Sequence, residues 1–380
     1  MSLVCERDQC TGCMACNDLC PVNAIKVVDA TKVFNAVIND EKCINCGLCH
    51  KKCPSLHPAS LKKPERWYQG WANDNDLRGL ASSGGFAGAI EKAFVENGGI
   101  VYSCVFKNGQ FYFESADTVD DLQKFAGSKY VKSNPSGIYK MIKKDLAMGK
   151  KVLFTGLPCQ VSGLRNAVGE KLAENLYTMD LICHGTPSVH ILKTFLEQHN
   201  VAMDDLAVIR FRNKSRFGMA YGMAYGMAYD PENIKFITKR GVLDKYLMAF
   251  LCSLIYTDNC YDCKYAKLER VSDLTIGDSW GTELTDEMKR GVSLALSQTD
   301  KGEDMLKMAD ITLQDVDLDN AVANNHQLQS PSKKPARRDE FFERFDKGEN
   351  IDRIVKSIYR EKSIKQDIKG LLISMKLIKA

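Results

Sequence analysis

Eight of the chain's 15 cysteines fall in two short runs of identical spacing. The first is Cys10-x2-Cys13-x2-Cys16-x3-Cys20, followed by Pro21, and the second is Cys43-x2-Cys46-x2-Cys49-x3-Cys53, followed by Pro54. A cubane iron–sulfur cluster needs four thiolates aimed at one small object. Two-residue spacers let a single loop reach three corners, and in two-cluster arrangements the fourth thiolate is the last Cys of the other run. The predicted ligand sets for two [4Fe–4S] clusters are therefore Cys10, Cys13, Cys16 with Cys53, and Cys43, Cys46, Cys49 with Cys20. Gly12 and Gly47 lie inside the loops, where bare backbone can approach the inorganic sulfurs. Zinc, the competing occupant, uses paired C-x2-C knuckles. It requires neither four cysteines per run nor a proline after the fourth.

A second, sparser constellation lies further along. Cys159 stands in LPCQ, directly after an apolar strand, and Cys183 in LICHGTPS, also at a strand end. Cys260 and Cys263 form a C-x2-C in DNCYDCKYA. Sites collect at strand ends in α/β cores, so four thiols arriving there point to a third site. Spacing alone leaves a third cluster, zinc, a redox disulfide or no site open. Cys5, Cys104 and Cys252 stay unassigned. His184, beside Cys183, reads either as a hydrogen-bonding partner that tunes a metal ligand or as a buried structural histidine, the reading preferred here. Asp278, in GDSWG, reads as a cap or orienter of the cluster loop. No Ser-His-Asp or paired-carboxylate pattern is present, and none is needed where cofactors carry the chemistry.

The elements that must position these residues follow from pattern and composition. At 380 residues and 44% apolar content, two or three globular domains are expected. The net charge of +4 supplies no argument for a nucleic-acid partner. The start, MSLVCERDQC, has no secretory apolar run, and no stretch of eighteen apolar residues occurs, so a soluble cytoplasmic protein without a membrane span is expected. Cysteine clusters in a reducing compartment are metal-binding or redox-active rather than disulfide frameworks.

The expected fold class is α+β: an N-terminal two-cluster ferredoxin-type domain, an α/β core and a C-terminal helical tail. The first domain is placed at residues 1–60, with Leu61–Arg66 as a solvated connector. Beyond it, IVYSCVF after Gly98-Gly99, KVLFTG and LYTMDLIC read as strands, and Ser136–Lys150 and SVHILKTFLEQHN as helices. That alternation favours partly parallel pairing. The repeat GMAYGMAYGMAY, Gly218 to Tyr229, would as a strand put Met219, Tyr221, Met223, Tyr225, Met227 and Tyr229 on one face. It reads either as a duplicated hairpin or as a flat small-residue face open to a ring system. Residues 341–380 read as a basic helical tail, with Ile354, Ile358, Ile364, Ile368 and Leu372 on the face that packs.

The leading domain is similar to bacterial-type ferredoxin modules. The remainder is more specific. Arg78 with SSGGF (Ser82–Phe86), GSKYVKS (Gly127–Ser133), VLFTGLPCQVSGL (Val152–Leu164), DLICHGTPS (Asp180–Ser188), IRFRNK (Ile209–Lys214), CYDCKYA (Cys260–Ala266) and SDLTIGDSWG (Ser272–Gly281) occur in this order. The series resembles the family of coenzyme F-420 hydrogenase/dehydrogenase beta subunits.

The resemblance implies a flavoprotein with FAD beside a [4Fe–4S] cluster held by Cys159, Cys183, Cys260 and Cys263. It divides the core into a flavin-binding region at 67–170 and a C-terminal-type domain with the third cluster at 171–340. Ser82, Ser83, Gly84 and Gly85 match the family's serine–glycine loop before a helix start at Phe86, whose N-terminus suits a pyrophosphate. The plain alternative is a serine N-cap. Lys129 and Tyr130 match a segment beside the flavin, where a cation would stabilise the reduced ring; the alternative is a solvated lysine. Gly156 and Pro158 are expected to shape the pocket floor. GLPC stands where Thr often precedes Pro in the family, and GMAY where GW is common, so the substrate side departs from the family text.

The implied activity passes electrons between a two-electron small-molecule donor or acceptor, a deazaflavin in archaeal relatives, and a redox protein partner or catalytic subunit. The alternative is a non-catalytic protein that wires a partner enzyme.

Overall fold

The computed structural model describes residues 2–215, 218–226 and 234–378. At the N-terminus, strands β1 (Ser2–Leu3), β2 (Ile25–Asp29) and β3 (Phe34–Ile38) form an antiparallel sheet in the order β1-β3-β2. Phe34, Ala36 and Ile38 alternate inward, as in a half-buried strand, and pack with Val4 and Ile25 against the cysteine loops.

The two cysteine runs fold alike. Each ends in a five-residue helix, Ala15–Leu19 and Leu48–Lys52. Left-handed backbone occurs at Gly12 (φ 63°) and Met14 (φ 63°) in the first run, and at Asn45 (φ 54°) and Gly47 (φ 68°) in the second. Each run thus places its glycine at a different one of two equivalent strained positions. Cys20 and Cys53 leave their helices in extended backbone, at ψ 115° and 120°. The proline after each disfavours the helical region for the residue before it, which turns the fourth thiol out of its own loop.

The core sheet begins with β4 (Arg66–Ala72), β5 (Ile100–Lys107), β6 (Gln110–Ala116), β7 (Val152–Gly156) and β8 (Leu176–Leu181). Strands β9 (Val208–Ser215), β10 (Gly218–Gly226) and β11 (Lys235–Phe236) form a separate antiparallel sheet. Strands β12 (Leu274–Asp278), β13 (Ser293–Ser297) and β14 (Ile311–Gln314) return to the large sheet, whose order is β14-β4-β13-β12-β8-β7-β5-β6. Neighbours β12, β8, β7 and β5 run parallel; the other pairs are antiparallel. Strand β7 is buried along its whole length. Val152 and Phe154 face helices Ile138–Ala147 and Pro158–Val168, while Leu153 faces helices Phe86–Glu96 and Asp300–Met308. The parallel strands therefore deliver their C-terminal ends, with Cys159, Cys183 and Trp280 just beyond, to one edge.

Three expectations change. The connector is not a loose solvated link: Lys62 and Arg270 exchange both backbone hydrogen bonds, and Glu65 N donates to Ser297 O. The tail breaks at Tyr359 into helices Ile351–Ile358 and Arg360–Ser374. Ile351, Ile354 and Val355 join the core, whereas Ile364 and Ile368 are exposed, because the turn at Tyr359 rotates the second apolar stripe away from the body. In the GMAY segment the strand alternation is interrupted by a register shift between Tyr221 and Ala224. Met223 is buried and Tyr225 packs beside it, while Met227 and Tyr229 lie outside the described residues. The large sheet draws strands from both the 67–170 and the 171–340 segments. Among the described residues no helix is long and apolar enough to cross a membrane.

The ferredoxin domain is seated firmly on the core. The buried Asp18 carboxylate accepts from Gly137 N at 2.7 Å and Tyr139 N at 3.2 Å, satisfying N–H groups at the start of helix Ile138–Ala147 that have no partner within the helix. Arg270, also buried, ties two of the core's three cysteine-bearing segments together. Its guanidinium donates to Tyr265 O at 2.7 Å, two residues after Cys263, and to Leu181 O at 2.9 Å, two before Cys183; it pairs with the buried Asp180 at 3.1 Å. Replacing Arg270 by Met strands the Asp180 charge and is expected to cost about 3–5 kcal/mol of stability in denaturant unfolding. The double variant Arg270→Met with Asp180→Leu should recover most of that loss. Equal losses in both would show that the carboxylate is not what makes the single change costly.

Candidate functional site

The first thiol group is assembled as the spacing predicts. Cys10, Cys13, Cys16 and Cys53 line one small cavity, and each lies near enough to act electrostatically on others of the set. Cys5 lies in the same cavity and hydrogen-bonds to Cys10 and Cys53, a fifth thiol that the two-run pattern does not account for. Its thiol lowers Cys10, and lowers Cys53 to about 6, while burial raises Cys13 to about 12 and drives Cys16 upward. Loading such a site with iron must release the protons held by the raised thiols. Cys43, Cys46 and Cys49 neighbour one another nearer the surface, with Cys46 exposed. Cys20 packs with Cys43 and Cys49 against the same small core and accepts a hydrogen bond from Ala24 N at 3.2 Å.

The second thiol group closes around a cavity of about 60 Å³ lined by Cys159, Cys183, Cys260 and Cys263. Helix Pro158–Val168 contributes the first, the end of β8 the second, and a loop beginning in a single 3-10 turn, Asp258–Cys260, the remaining two. Burial raises Cys183 and Cys263, the latter to about 12. Beyond burial, Cys183 and Cys263 each sense Cys159 and Cys260, as expected of a donor set gathered round a shared object. Lys132 is buried here, with Nζ 3.4 Å from Cys159 Sγ. Among the described residues no three of His, Cys, Asp and Glu are grouped as a single metal ion would need.

The two groups are neighbours. Cys159 and Gly163 share a helical face, four residues apart. A Cβ at Gly163 would stand 3.2 Å from Cys13 Sγ and 3.3 Å from Ala15 Cβ, so the absence of a side chain lets the ferredoxin loop reach the helix that carries Cys159.

A cavity of about 710 Å³ adjoins the second thiol group and shares Leu157, Cys183, His184, Gly185 and Thr186 with it. The volume is in the range of cofactor sites. Ser82, Ser83, Gly85, Lys129, Tyr130 and Gly156 line it. Gly85, left-handed at φ 97°, caps helix Phe86–Glu96, and no side chain bonds the helix's first N–H groups; the serine N-cap alternative is therefore not what is found. Those free donors suit an anionic group. Lys129 is half-buried, not solvated; its ammonium is held by Phe125 O at 2.6 Å and Ala126 O at 3.2 Å, and burial lowers its pKa. Tyr130 stacks on Phe250 with centroids 4.5 Å apart.

Other expectations are corrected. Gly84 does not line the cavity: a Cβ there would meet Gly70 O at 2.4 Å, so its smallness serves packing against β4. Pro158 lines the thiol cavity rather than the large one, because the helix turns it to the other side of Leu157. The Ser83 hydroxyl is spent on Val292 O at 3.0 Å. Asp278 does not orient the cluster loop. It pairs with buried Arg212 at 2.6 Å, and that guanidinium sits over Trp280, 5.7 Å from the ring centroid; all three line the large cavity. His184 lies between the cavities, accepts at Nδ1 from Gln327 Nε2 at 2.9 Å, and is pushed down to about 4, first by desolvation and then by His326.

Sequence reasoning passed over Lys132, Arg212 and Glu91 as individuals. The first two stand inside quoted motifs, GSKYVKS and IRFRNK, which was the available signal. Glu91 has none, being one charge in an ordinary amphipathic helix.

Residues 149–319 match the family model that describes the C terminus of the coenzyme F420 hydrogenase/dehydrogenase beta chain, and residues 9–56 match a 4Fe-4S dicluster domain. Among curated proteins, the chain is similar to the coenzyme F420-dependent sulfite reductase of Methanocaldococcus jannaschii, at 25% identity over 51% of this chain and 34% of that protein. It is also similar to the F component of the F(420)H(2) dehydrogenase of Methanosarcina mazei, at 23% identity over 44% of this chain and 52% of that one. The chain thus spans between a third and about half the length of these relatives. A chain of the F420-reducing [NiFe] hydrogenase complex from Methanosarcina barkeri aligns with TM-score 0.46 and 19% identity, covering 76% of this chain and 95% of that one.

Glu91 is buried in the wall of the large cavity, and burial raises its carboxyl from 4.5 to about 7, with Thr155, Lys129 and Ser103 offsetting only part. Between these values the folded chain keeps a proton that the unfolded chain releases. Stability therefore falls as pH rises across that window and is level above it. Glu91→Gln should match the wild-type apoprotein near pH 4 and exceed it at pH 8 by roughly 3 kcal/mol. Superimposable pH–stability profiles would refute this.

Proposed function

From a chain whose residues 149–319 belong to the C-terminal family of coenzyme F420 hydrogenase/dehydrogenase beta chains and whose residues 9–56 are a 4Fe-4S dicluster domain, we propose an FAD-containing oxidoreductase that exchanges electrons with a deazaflavin. That the chain is an iron–sulfur redox protein related to F420 enzymes follows from the matches themselves. The flavin, the third cluster and the substrate are the proposal.

The observation that carries it is adjacency. The large cavity and the core thiol group share a wall through Cys183 and His184, and the core thiol group meets the ferredoxin loop where Cys159 and Gly163 face Cys13. Cys159, Cys183, Cys260 and Cys263 would hold one cubane, Cys10, Cys13, Cys16 and Cys53 a second, and Cys43, Cys46, Cys49 and Cys20 a third. A bound flavin supplies two-electron exchange with an organic partner and one-electron exchange with clusters. The chain's own residues bind and orient. Gly85 opens the helix end to a pyrophosphate, Ser82 and Gly156 shape the wall, and Lys129 places a cation in the cavity. Tyr130, fixed by Phe250, gives an aromatic surface. Arg212, steadied by Asp278 and Trp280, offers a second cation to an anionic substrate. A small molecule other than a deazaflavin would meet the same groups.

Anaerobic reconstitution of the full chain should yield about twelve iron atoms and one FAD, from three cubanes and one flavin. The reduced protein should bleach oxidised deazaflavin rapidly. A colourless, flavin-free preparation would end the proposal, and silence toward deazaflavin with full cofactors would move it to another small substrate.

The second reading, an electron-wiring protein docked to a catalytic partner, draws on the last helix. Ile364, Ile368 and Leu371, with Met375 just past the helix end, are exposed at spacings of four, three and four, a stripe suited to a partner helix. Truncation after Tyr359 removes buried Ser363 and the Gln366–Leu243 bond and should lower the melting temperature modestly with iron content kept, whereas truncation after Asn350 also removes buried Ile351, Ile354 and Val355 and should destabilise by several kcal/mol more. Co-purification of a catalytic partner with the full chain but not with the shorter truncation would favour this reading. Deazaflavin turnover by the isolated chain would exclude it.

A further inference from the structure

Lys132 is 5% exposed. Among the described residues its ammonium has one polar partner, Cys159 Sγ at 3.4 Å. The other groups that act on its charge are also sulfurs, Cys260 of the core group and Cys13 of the ferredoxin loop. A buried ammonium is costly unless negative charge accompanies it, and a neutral thiol is only a weak acceptor. Nothing the chain itself places beside Lys132 matches its charge so long as the four thiols remain protonated. Four thiolates on a cubane would match it, since they outweigh the positive charge of the iron–sulfide core. Its position is also particular: it lines the core thiol cavity on the side of the ferredoxin loop.

We propose that Lys132 is the charge-compensating residue of the core cluster and holds that cluster's reduction potential up. The inference rests on the reading that Cys159, Cys183, Cys260 and Cys263 hold a cubane. When one electron enters the cluster no bond forms or breaks, the cluster gains one negative charge, and Lys132 keeps its proton throughout. A fixed cation at this distance favours the more negative, reduced state, in the way that nearby charge and hydrogen bonding to the sulfurs tune cluster potentials. Because its ammonium also senses Cys13, the inner ferredoxin cluster should feel it more weakly, and the outer one, at Cys43, Cys46 and Cys49, least. Lys132 is a positioning residue: it acts through the cluster and touches no substrate.

The test compares the full wild-type chain with Lys132→Met and Lys132→Arg, reconstituted anaerobically and titrated with dithionite under electron paramagnetic resonance, with iron counted and the iron-free proteins melted. Lys132→Met should keep its iron and show a lower midpoint potential for the core cluster, with the outer ferredoxin cluster unmoved and Lys132→Arg near wild type. Loss of core iron in the Met variant but not in the Arg variant also supports the assignment, since charge alone separates them. In the iron-free state the Met variant should melt no lower than wild type, because an uncompensated buried cation has been removed. Full iron with an unchanged core potential overturns the proposal, as does loss of core iron in both variants or a lower melting temperature of the iron-free Met variant, each of which marks a packing role. A wild-type chain holding about eight iron atoms rather than about twelve would defeat the core-cluster reading itself, an outcome visible before any variant is made.

Discussion

A side chain at position 163 would stand 3.2 Å from Cys13 Sγ, so glycine there sets how near the two thiol groups come. Much of the architecture serves this approach. Asp18 reaches from the ferredoxin helix to the start of helix Ile138–Ala147. Asn166 donates to His57 O at 2.7 Å, and Ser162 Oγ accepts from Ala59 N at 3.0 Å. These bonds hold the domain against one face of helix Pro158–Val168, the face that also presents Cys159. Electron transfer needs closeness and rigidity, and a loosely tethered ferredoxin module would provide neither.

The parallel half of the large sheet brings the rest of the site together. Strands β7, β8 and β12 end at one edge, and each hands over to a segment carrying a group that lines one of the cavities: Cys159 on the helix after β7, and Cys183 and Trp280 on loops. Arg270 then fixes the loop of Cys260 and Cys263 to the end of β8 through two carbonyls and Asp180. The thiol group is therefore held by a buried ion pair on one side and accompanied by a buried lysine on the other. Charges in so enclosed a place are tolerated only where their opposites are supplied.

The large cavity is asymmetric in its chemistry. One wall is backbone-rich, with Gly85, Gly127 and Gly156 and the uncapped start of helix Phe86–Glu96. The other carries Arg212, Asp278 and Trp280. Of the two motifs that set this sequence apart, GLPC begins at the end of β7, where Thr155, Gly156 and Leu157 line this cavity.

The grouping of the N-terminal thiols was legible because it follows local spacing: C-x2-C-x2-C-x3-C-P states which thiols share a loop, and Cys-Pro states which thiol is turned away, whereas spacing left the purpose of Cys159, Cys183, Cys260 and Cys263 open. The strands β5, β7 and β8 were legible from apolar runs bounded by glycine, and the motifs brought Ser82, Ser83, Gly85, Lys129, Tyr130 and Gly156 to the wall of one cavity. What spacing could not convey is what distant segments do when they meet. Asp278 finds Arg212, 66 residues away, and so leaves the cluster loop. Gly84 serves a β4 contact rather than the cavity. Cys5 joins a cavity through strand pairing. Lys132 becomes a buried cation only because helix Pro158–Val168, the loop of Cys260 and the ferredoxin loop come together around it. Local pattern determines which residues can do chemistry; burial and charge pairing, which are sums over long-range contacts, were decided by the tertiary fold alone.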